Sequence, residues 1–345
     1  MDKKRVVING FGRIGRLFLR QVFSLPPEQS SFEVVAINDL GDLENLAYLL
    51  RKDTVYGTYG RQVTCDKEKG VLAIDGKEIK ILQIKDPAQL PWKDLGVDVV
   101  VEATGVFESY EKAKVHLDAG AKRVVITAPA KDADGPIGKT ILMGINDGEL
   151  KTVSLTSNGS CTTNAASPVI AILSQNPGIL KAVLNTVHAY TATQSIVDGP
   201  VKGSDFLRGR AAAQNIVPST TGAAIAVARA LPELAGKFDG TAMRVPVAAG
   251  SVADIVFLAK RKVTVEEVNG ILKEAAAKPE WQGILKVSEE SLVSSDIVGE
   301  PYGAIVDLTF TKVVDGDLVK VLSWYDNEAG YVSTLIKHVS AAVAG

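Results

Sequence analysis

The chain has 345 residues, of which 46% are hydrophobic and 23% are charged, with 38 Lys and Arg against 40 Asp and Glu. This length predicts two domains, and the near-neutral charge excludes the positive excess that nucleic-acid and membrane partners usually require. Two cysteines do not make a secreted disulfide scaffold, so a reducing cytoplasm is the expected location. No signal peptide and no bilayer-spanning apolar run are predicted.

Short apolar runs alternate with helical patterns in the first part of the chain. Continuous valine and isoleucine runs separated by helices are typical of a parallel sheet covered on both faces, and right-handed crossovers make such a sheet doubly wound. The predicted strands are 6–9, 32–38, 98–103 and 124–127, and the predicted helices are 14–23, 43–50 and 110–119.

The pattern changes after about Gly159, where longer segments alternate apolar and polar residues. Such alternation predicts an antiparallel or mixed sheet with one packed face. After Asn327 the apolar spacing is that of one helix face, and we expect this helix to pack back on the first domain. The predicted strands here are 183–190, 242–247, 252–260, 305–313 and 318–325, and the predicted helix is 265–277.

These patterns predict an α/β fold in two domains. The first is a Rossmann-type doubly wound parallel sheet, formed by residues 1–160 together with 328–345. The second, residues 161–327, is an α+β domain with a mixed or antiparallel sheet.

A glycine-rich turn joins the first predicted strand to the first predicted helix. Gly10, Gly12 and Gly15 form a G-x-G-x-x-G motif, which allows a backbone to approach a pyrophosphate at a helix N-terminus. Asp39 ends the second strand, where a carboxylate binds ribose hydroxyls, repels a 2′-phosphate and so favours NAD over NADP. The alternative is a purely structural turn beside an exposed acid.

Cys161 lies in the polar segment 157–164, directly before an apolar helical run over 165–173. We therefore expect it at or near a helix N-terminus, where the helix dipole and free N–H groups favour the thiolate. Cys65, in a strand-like segment, is expected to be structural or partly exposed.

His188 ends a strongly apolar strand and precedes a run of polar residues. It could act as a general base for Cys161, or it could be a structural histidine with satisfied hydrogen bonds. His116 and His338 are predicted to lie on surface faces of helices. No His and Cys cluster has the spacing of metal ligands, so no metal is predicted.

Seven segments of the chain closely resemble phosphorylating glyceraldehyde-3-phosphate dehydrogenases, in the family's order and over nearly the whole length. They include the glycine-rich turn, the segment around Cys161 and the segment that begins at His188. The matching segments are 8–16, 36–40, 157–164, 188–191, 218–224, 243–246 and 323–328.

The resemblance implies an NAD-dependent enzyme of glycolysis and gluconeogenesis that converts glyceraldehyde 3-phosphate and inorganic phosphate to 1,3-bisphosphoglycerate. Cys161 would attack the aldehyde, and His188 would take the proton. A thioester on Cys161 would then be cleaved by phosphate. The resemblance also implies a homotetramer, a dinucleotide-binding first domain and a catalytic second domain.

Further site residues are implied by the same resemblance. Asn327 would fix the nicotinamide amide, and either Arg208 or Arg210 would bind the attacking phosphate, with Arg208 preferred. The implied substrate and phosphate ligands are Ser160, Thr162, Thr191, Arg208, Thr221, Gly222 and Arg244. The implied cofactor ligands are Gly10, Gly12, Arg13, Ile14, Gly15, Asp39, Thr104, Thr127 and Asn327.

Two other functions compete with this interpretation. Erythrose-4-phosphate dehydrogenase shares the fold and the Cys/His pair but releases a free acid by hydrolysis. A non-catalytic relative that binds RNA or a protein partner is expected to lack the nucleophile or the base, whereas both Cys161 and His188 are present.

Overall fold

The computed structural model describes residues 3–26, 28–201 and 203–344. The chain divides into two compact units. Valine and isoleucine runs form the main sheet of the first unit. This unit comprises Met1–Gly159 and Leu335–Gly345. Its strands are β1 (Lys4–Asn9), β2 (Phe32–Asn38), β3 (Lys52–Asp53), β4 (Gly57–Thr58), β5 (Val63–Asp66), β6 (Val71–Ile74), β7 (Lys77–Leu82), β8 (Val99–Glu102), β9 (Arg123–Ile126), β10 (Gly138–Thr140) and β11 (Leu155–Ser157). Its helices are α1 (Arg13–Ser24), α2 (Leu43–Arg51), α3 (Tyr110–Ala113) and α4 (Val115–Asp118), with 3₁₀ turns at Pro87–Gln89 and Asp147–Thr152.

Within the described residues, the main sheet of this unit has the strand order β10-β11-β9-β8-β1-β2-β7-β6-β5. Pairing is parallel from β10 to β7 and antiparallel only at β7-β6 and β6-β5. The predicted doubly wound parallel sheet is therefore confirmed. Strand β1 lies between β2 and β8, so the carboxyl ends of these three strands are neighbours, and ligands of such sheets bind at that edge.

The predicted helix 110–119 is instead two short helices that meet at Lys114, which is the C-cap of one and the N-cap of the other. The hairpin strands β5, β6 and β7 were not predicted as part of the sheet. They are only four to six residues long, and β5 and β7 carry charged residues, so the apolar run of β6 is too short by itself to indicate a strand of this sheet.

His116 is fully buried, so the prediction of a surface position is wrong. Trp92 Nε1 donates to His116 Nδ1 at 3.1 Å, and His116 Nε2 lies 3.0 Å from Glu102 Oε2. Asn9 Nδ2 donates to the same carboxylate oxygen at 2.6 Å. Both ring nitrogens therefore have buried partners, which the polar sequence around His116 does not reveal.

The second unit, Ser160–Thr334, is formed around a mixed sheet. Its strands are β12 (Ile179–Ala189), β13 (Val217–Thr220), β14 (Phe238–Val245), β15 (Ser251–Ala259), β16 (Leu285–Ser288), β17 (Ala304–Val314) and β18 (Leu318–Tyr325). Its helices are α5 (Cys161–Gln175), α6 (Ala223–Ala230) and α7 (Val265–Ala276), and α8 (Ala329–Ala344) begins in this unit and ends in the first. Its 3₁₀ turns are Phe206–Gly209, Pro232–Leu234, Pro279–Trp281 and Ser294–Ile297.

The described strands of this sheet follow the order β13-β14-β12-β15-β18-β17-β16. Strands β12 and β14 are parallel, as are β16 and β17, whereas the other neighbours are antiparallel, which confirms the predicted mixed sheet. Helix α5 packs on β17 and β18. In β12 alternate residues from Ala182 to His188 are buried, so His188 lies on the covered face of the sheet.

Among the described helices, none combines the length and the apolar character needed to cross a bilayer.

His338, on α8, is also fully buried, and its predicted surface position is wrong. Its Nδ1 lies 3.0 Å from Asn158 Oδ1 and its Nε2 lies 2.9 Å from Thr156 Oγ1. Both partners precede it by about 180 residues, so no local pattern indicates them. Burial lowers the pKa of His338 to about 3, which keeps the imidazole neutral at physiological pH.

This burial predicts a pH-dependent stability. The unfolded chain takes up a proton at His338 below about pH 6.5 while the folded chain does not, so stability falls as the pH falls. From pH 7 to pH 5 the free energy of unfolding contributed by this residue should fall by about 2 kcal/mol. In His338→Gln that part of the pH dependence should be absent in urea titrations at both pH values. An unchanged pH slope in the variant would contradict the assignment.

Candidate active site

The glycine-rich turn connects β1 to α1, and two of its glycines have different surroundings. Gly10 has φ +97, and a Cβ atom there would lie 2.6 Å from the Thr104 nitrogen. Gly12 is the N-cap of α1, and a Cβ atom there would meet no described atom within 4 Å. Gly10 is thus required for the fold of the turn, whereas Gly12 leaves open space in front of the helix N-terminus.

A cavity of about 470 Å³ opens beside this turn. It brings together four of the predicted cofactor ligands, Gly10, Gly12, Asp39 and Thr104. Its lining residues are Asn9, Gly10, Gly12, Asn38, Asp39, Leu40, Ile84, Lys85, Pro87, Ala103, Thr104, Val106 and Phe107. The predicted ligands Arg13, Ile14, Gly15 and Thr127 lie outside this lining, and the Arg13 guanidinium forms an ion pair with Asp53.

Asp39 bonds to the glycine-rich turn itself. Its Oδ2 accepts from Phe11 N at 2.7 Å, and its Oδ1 accepts from Gly41 N at 2.8 Å. The carboxylate therefore has a fixed orientation at the carboxyl end of β2, where a ribose hydroxyl would be bound.

Glu102 fixes a second wall of the cavity. Its Oε1 accepts from the Thr104 backbone nitrogen at 2.9 Å and also from the Thr104 hydroxyl, and its Oε2 accepts from Asn9 and His116. Glu102, Asn9 and Asn38 were missed by the sequence analysis. Their only sequence signal is that each is a polar residue at the last position of a strand, directly after an apolar run.

In the second unit, helix α5 begins at Cys161, as predicted. Ser160 is its N-cap: the Ser160 hydroxyl accepts from Thr163 N at 3.0 Å, and Thr163 Oγ1 accepts from Ser160 N at 3.1 Å. This reciprocal pair fixes the first turn and uses the Thr163 N–H, while the N–H groups at the very start of the helix have no intrahelical acceptor.

The Cys161 sulfur lies 3.3 Å from His188 Nε2. His188 Nδ1 lies 2.6 Å from the Ala189 carbonyl oxygen. A carbonyl can only accept, so Nδ1 carries the ring proton, and in the neutral ring Nε2 is left as an acceptor for the thiol proton. The sequence did not decide whether His188 pairs with Cys161. In the structure the two side chains are in contact, in the arrangement that a nucleophile and its base require.

Burial and charge act in opposite directions on this pair. Burial raises the pKa of Cys161 to about 11 and lowers the pKa of His188 to about 4, so burial alone keeps both neutral. Hydrogen bonds from Thr162 and the charge of Arg244 lower the pKa of the thiol. Proton transfer across the 3.3 Å contact would also create two adjacent opposite charges, whose attraction favours the ion pair.

Arg244 lies beside His188 because β14 and β12 pair these two residues in register. Its Nη1 donates to Thr191 Oγ1 at 3.2 Å, whereas its Nε is buried without a partner among the described residues. Burial and the nearby Arg208 charge lower the pKa of Arg244. A buried donor and two close guanidiniums are unfavourable by themselves and are typical of a site that receives an anion.

Arg208, but not Arg210, belongs to this cluster. Arg208 donates to Thr193 Oγ1 at 2.7 Å and to Ser219 Oγ at 3.3 Å, and Thr193 in turn contacts Thr191 at 2.9 Å. The Arg208 side chain is 25% exposed and pairs with Asp205, whereas the Arg210 side chain is 61% exposed and pairs with Asp198. This geometry favours Arg208, the residue preferred from the sequence, and adds Thr193 and Ser219.

Three other predicted ligands have structural contacts of their own. Thr221 Oγ1 accepts from Ala223 N at 3.2 Å, and Gly222 is the N-cap of α6. Thr162 is buried, and its hydroxyl lies 2.8 Å from the Tyr325 hydroxyl, which lies 2.7 Å from Thr186. The Thr162 side chain thus supports the first turn of α5.

Asn327 lies next to the start of β15. Its Oδ1 accepts from Gly250 N at 3.2 Å and from the Ser251 hydroxyl at 3.1 Å. Ser251 was not singled out in the sequence, where nothing distinguishes it from the other serines.

The described residues contain no group of three or more His, Cys, Asp or Glu side chains arranged to hold a metal ion.

Two family models match the chain. Residues 4–110 match the glyceraldehyde 3-phosphate dehydrogenase NAD binding domain, and residues 160–327 match the C-terminal domain of the same family. Three proteins named glyceraldehyde-3-phosphate dehydrogenase are similar to this chain, each over 96% of both chains. The sequence identity is 46% for the protein of Clostridium pasteurianum, 47% for that of Streptomyces coelicolor and 48% for that of Mycolicibacterium smegmatis. The chain belongs to the glyceraldehyde-3-phosphate dehydrogenase family.

Gly10 and Gly12, in the NAD binding domain, form a matched pair for mutagenesis because they lie in the same turn and have different surroundings. Gly10→Ala places a Cβ atom against the backbone at positive φ and should lower the thermal midpoint by several degrees. Gly12→Ala should leave the midpoint nearly unchanged yet weaken NAD binding about tenfold or more, because its Cβ atom occupies the approach to the helix N-terminus. Calorimetric melting and titration with NAD measure the two effects. Equal NAD affinity in Gly12→Ala and the unmodified chain would contradict this role.

His188→Asn should raise the pKa of the Cys161 thiol, because it removes the ring that accepts the thiol proton and would then face the thiolate as a cation. We expect alkylation of Cys161 by iodoacetamide at pH 7 to slow about tenfold or more, and its pH midpoint to move upward. Mass spectrometry of the labelled peptides gives the rate at each cysteine. Cys65 is the control within the same molecule and should react at the same rate in both proteins. Unchanged alkylation of Cys161 would show that His188 does not stabilise the thiolate.

Proposed function

We propose that this chain is an NAD-dependent, phosphorylating glyceraldehyde-3-phosphate dehydrogenase. Its substrates are glyceraldehyde 3-phosphate and inorganic phosphate, and its product is 1,3-bisphosphoglycerate. The observation that carries the proposal is the Cys161 sulfur 3.3 Å from His188 Nε2, beside the arginine cluster of Arg244 and Arg208. Family membership supports the same reaction.

The first step joins the Cys161 sulfur to the aldehyde carbon. The thiol proton moves to His188 Nε2, and a hemithioacetal forms as the carbonyl oxygen gains the electron pair of the broken π bond. The Cys161 N–H at the start of α5 and the protonated His188 can both donate to that oxygen. The protonated His188 gives its proton to that oxygen, which becomes the hemithioacetal hydroxyl, and the neutral ring then takes the proton back while the substrate carbon loses its hydride.

The first unit fits NAD as the hydride acceptor. Gly12 leaves open space at the N-terminus of α1, and Asp39 lines the same cavity. The pyrophosphate would be held by Gly10, Gly12, Arg13, Ile14 and Gly15. Asp39 would bind the ribose, and Asn327 would bind the carboxamide. Thr104 and Thr127 would line the crevice. When bound, NAD supplies the acceptor for the hydride that leaves the substrate.

Phosphate completes the reaction. It attacks the thioester carbon, the carbon–sulfur bond breaks, and the thiolate of Cys161 leaves and regains a proton. Thr191 and Arg244 are proposed for the substrate phosphate. The proposed ligands of the attacking phosphate are Ser160, Arg208, Thr221 and Gly222. Thr162, whose hydroxyl contacts Tyr325, is proposed only to hold the first turn of α5 beside them. Two arginines with several hydroxyls suit a reaction with two phosphate groups.

We further propose a homotetramer in the cytoplasm. Large apolar side chains are exposed on the second unit, and exposed apolar patches of this kind usually mark subunit contacts. They include Val183 on β12 and, beyond it, Ile196, Val197, Phe206, Leu207 and Ile216. Both cysteines are free thiols, which suits a reducing compartment.

The decisive experiment measures NADH formation from glyceraldehyde 3-phosphate with and without inorganic phosphate. We expect a phosphate-dependent rate with NAD and a much lower rate with NADP. Arg208→Ala should raise the KM for phosphate about tenfold or more, whereas Arg210→Ala, which removes an exposed pair with Asp198, should change it less than twofold. Cys161→Ser should abolish turnover. A rate independent of phosphate would indicate hydrolysis instead, and no NADH at all would indicate a non-catalytic protein.

A further inference from the structure

Ser251 is a fully buried hydroxyl at the first position of β15. It accepts a hydrogen bond from Ala189 N at 3.1 Å and donates one to Asn327 Oδ1 at 3.1 Å. The Ala189 N–H can only donate, so the Ser251 proton is free to point at Asn327. The directions of both hydrogen bonds are thus set by the backbone.

At one end of this connection lies the base. Ala189 accepts from His188 Nδ1 through its carbonyl and donates to Ser251 through its N–H. The Ser251 hydroxyl therefore holds the residue whose carbonyl selects the tautomer of His188. That tautomer leaves Nε2 as the atom facing the Cys161 sulfur.

At the other end lies the amide of Asn327. Gly250 N also donates to Asn327 Oδ1, at 3.2 Å, and a backbone N–H can only donate, so the atom it meets must be the oxygen. Two donors on Oδ1 leave Nδ2 as the group that Asn327 presents to a ligand. No described group bonds to that nitrogen.

The Gly250 backbone is itself fixed. Gly250 has φ +87, and a Cβ atom there would collide with the Ser294 carbonyl oxygen. The turn before β15 therefore cannot shift easily to give Asn327 Oδ1 a new donor in place of the Ser251 hydroxyl. Of the two donors to Asn327 Oδ1, Ser251 is the one that also bonds to Ala189, next to His188.

We propose that Ser251 is a positioning residue that joins the base to the cofactor amide. One hydroxyl fixes both the Ala189 peptide that orients His188 and the Asn327 amide that presents its N–H to the nicotinamide carboxamide. This inference rests on the proposed function. It concerns a residue that touches neither the substrate carbon nor the thiol, and that acts through His188 and Asn327.

The test measures the two ends separately in Ser251→Ala. Alkylation of Cys161 by iodoacetamide across pH 6–10 reports the His188 end without cofactor, and calorimetric titration with NAD reports the Asn327 end without substrate. We expect the alkylation rate at pH 7 to fall and the dissociation constant for NAD to rise, each by about three- to tenfold, because each end loses one hydrogen bond. Ser251→Thr keeps the hydroxyl on a strand and should restore both.

Ser323→Ala is the matched control. Ser323 is also a fully buried serine of this sheet, on β18, and its hydroxyl donates to the Ala165 carbonyl at 2.9 Å. Its loss removes a buried hydrogen bond of the same kind without touching Ala189 or Asn327. We expect a lower thermal midpoint with both readouts unchanged. Should Ser251→Ala fail to fold, Ser251→Cys, with a weaker donor, carries the same test.

A change at both ends in Ser251→Ala, restored in Ser251→Thr, supports the proposal. A change at neither end, a change at one end only, or an equal effect of Ser323→Ala overturns it. Neither readout uses the aldehyde, so both remain informative if the unmodified chain forms no NADH. Failure of the proposed function would appear in the NADH assay of the unmodified chain, and failure of this inference only in the Ser251 variants.

Discussion

The hydrogen bond from His188 Nδ1 to the Ala189 carbonyl, 2.6 Å long, determines how the His188 ring meets the Cys161 sulfur. It places the ring proton away from the sulfur, so that Nε2 faces Cys161 as an acceptor. The alternative tautomer would present an N–H to the thiol and could not take its proton. The helix start at Cys161 and the strand register at Arg244 are useful to the reaction only with this orientation.

Most of the fold could be predicted because its cores follow simple periodicities. The apolar runs of β1, β2, β8 and β9 are buried on both faces, and the alternation in β12, β15 and β18 matches a sheet with one covered face. The break at Lys114 was not predictable from apolar spacing, which continues through it. The hairpin from β5 to β7 was missed because such short strands derive their stability from sheet neighbours rather than from their own sequence.

The site could be predicted where the signal is local and not where it depends on distant partners. Cys161 is marked by its polar neighbours before an apolar helix, and Gly10 and Gly12 by their motif. His116 and His338 lie on helices and have no local sign of burial, because their partners Glu102 and Thr156 come from the strands β8 and β11. Ser219 and Ser251 look like any other serine until strand pairing places them. The resemblance to the family supplied roles for individual residues that periodicity alone could not.

Asp39 serves two purposes with one carboxylate, and this has a consequence for protein engineering and for evolution. The oxygen that accepts from Phe11 N holds the glycine-rich turn, while the same side chain lines the cavity proposed for the cofactor. If Asp39 binds the ribose as proposed, replacing it to admit a 2′-phosphate would also remove an acceptor that holds the glycine-rich turn. A change of cofactor preference in this scaffold requires a compensating acceptor for Phe11 N, so the two properties are expected to change together rather than one at a time.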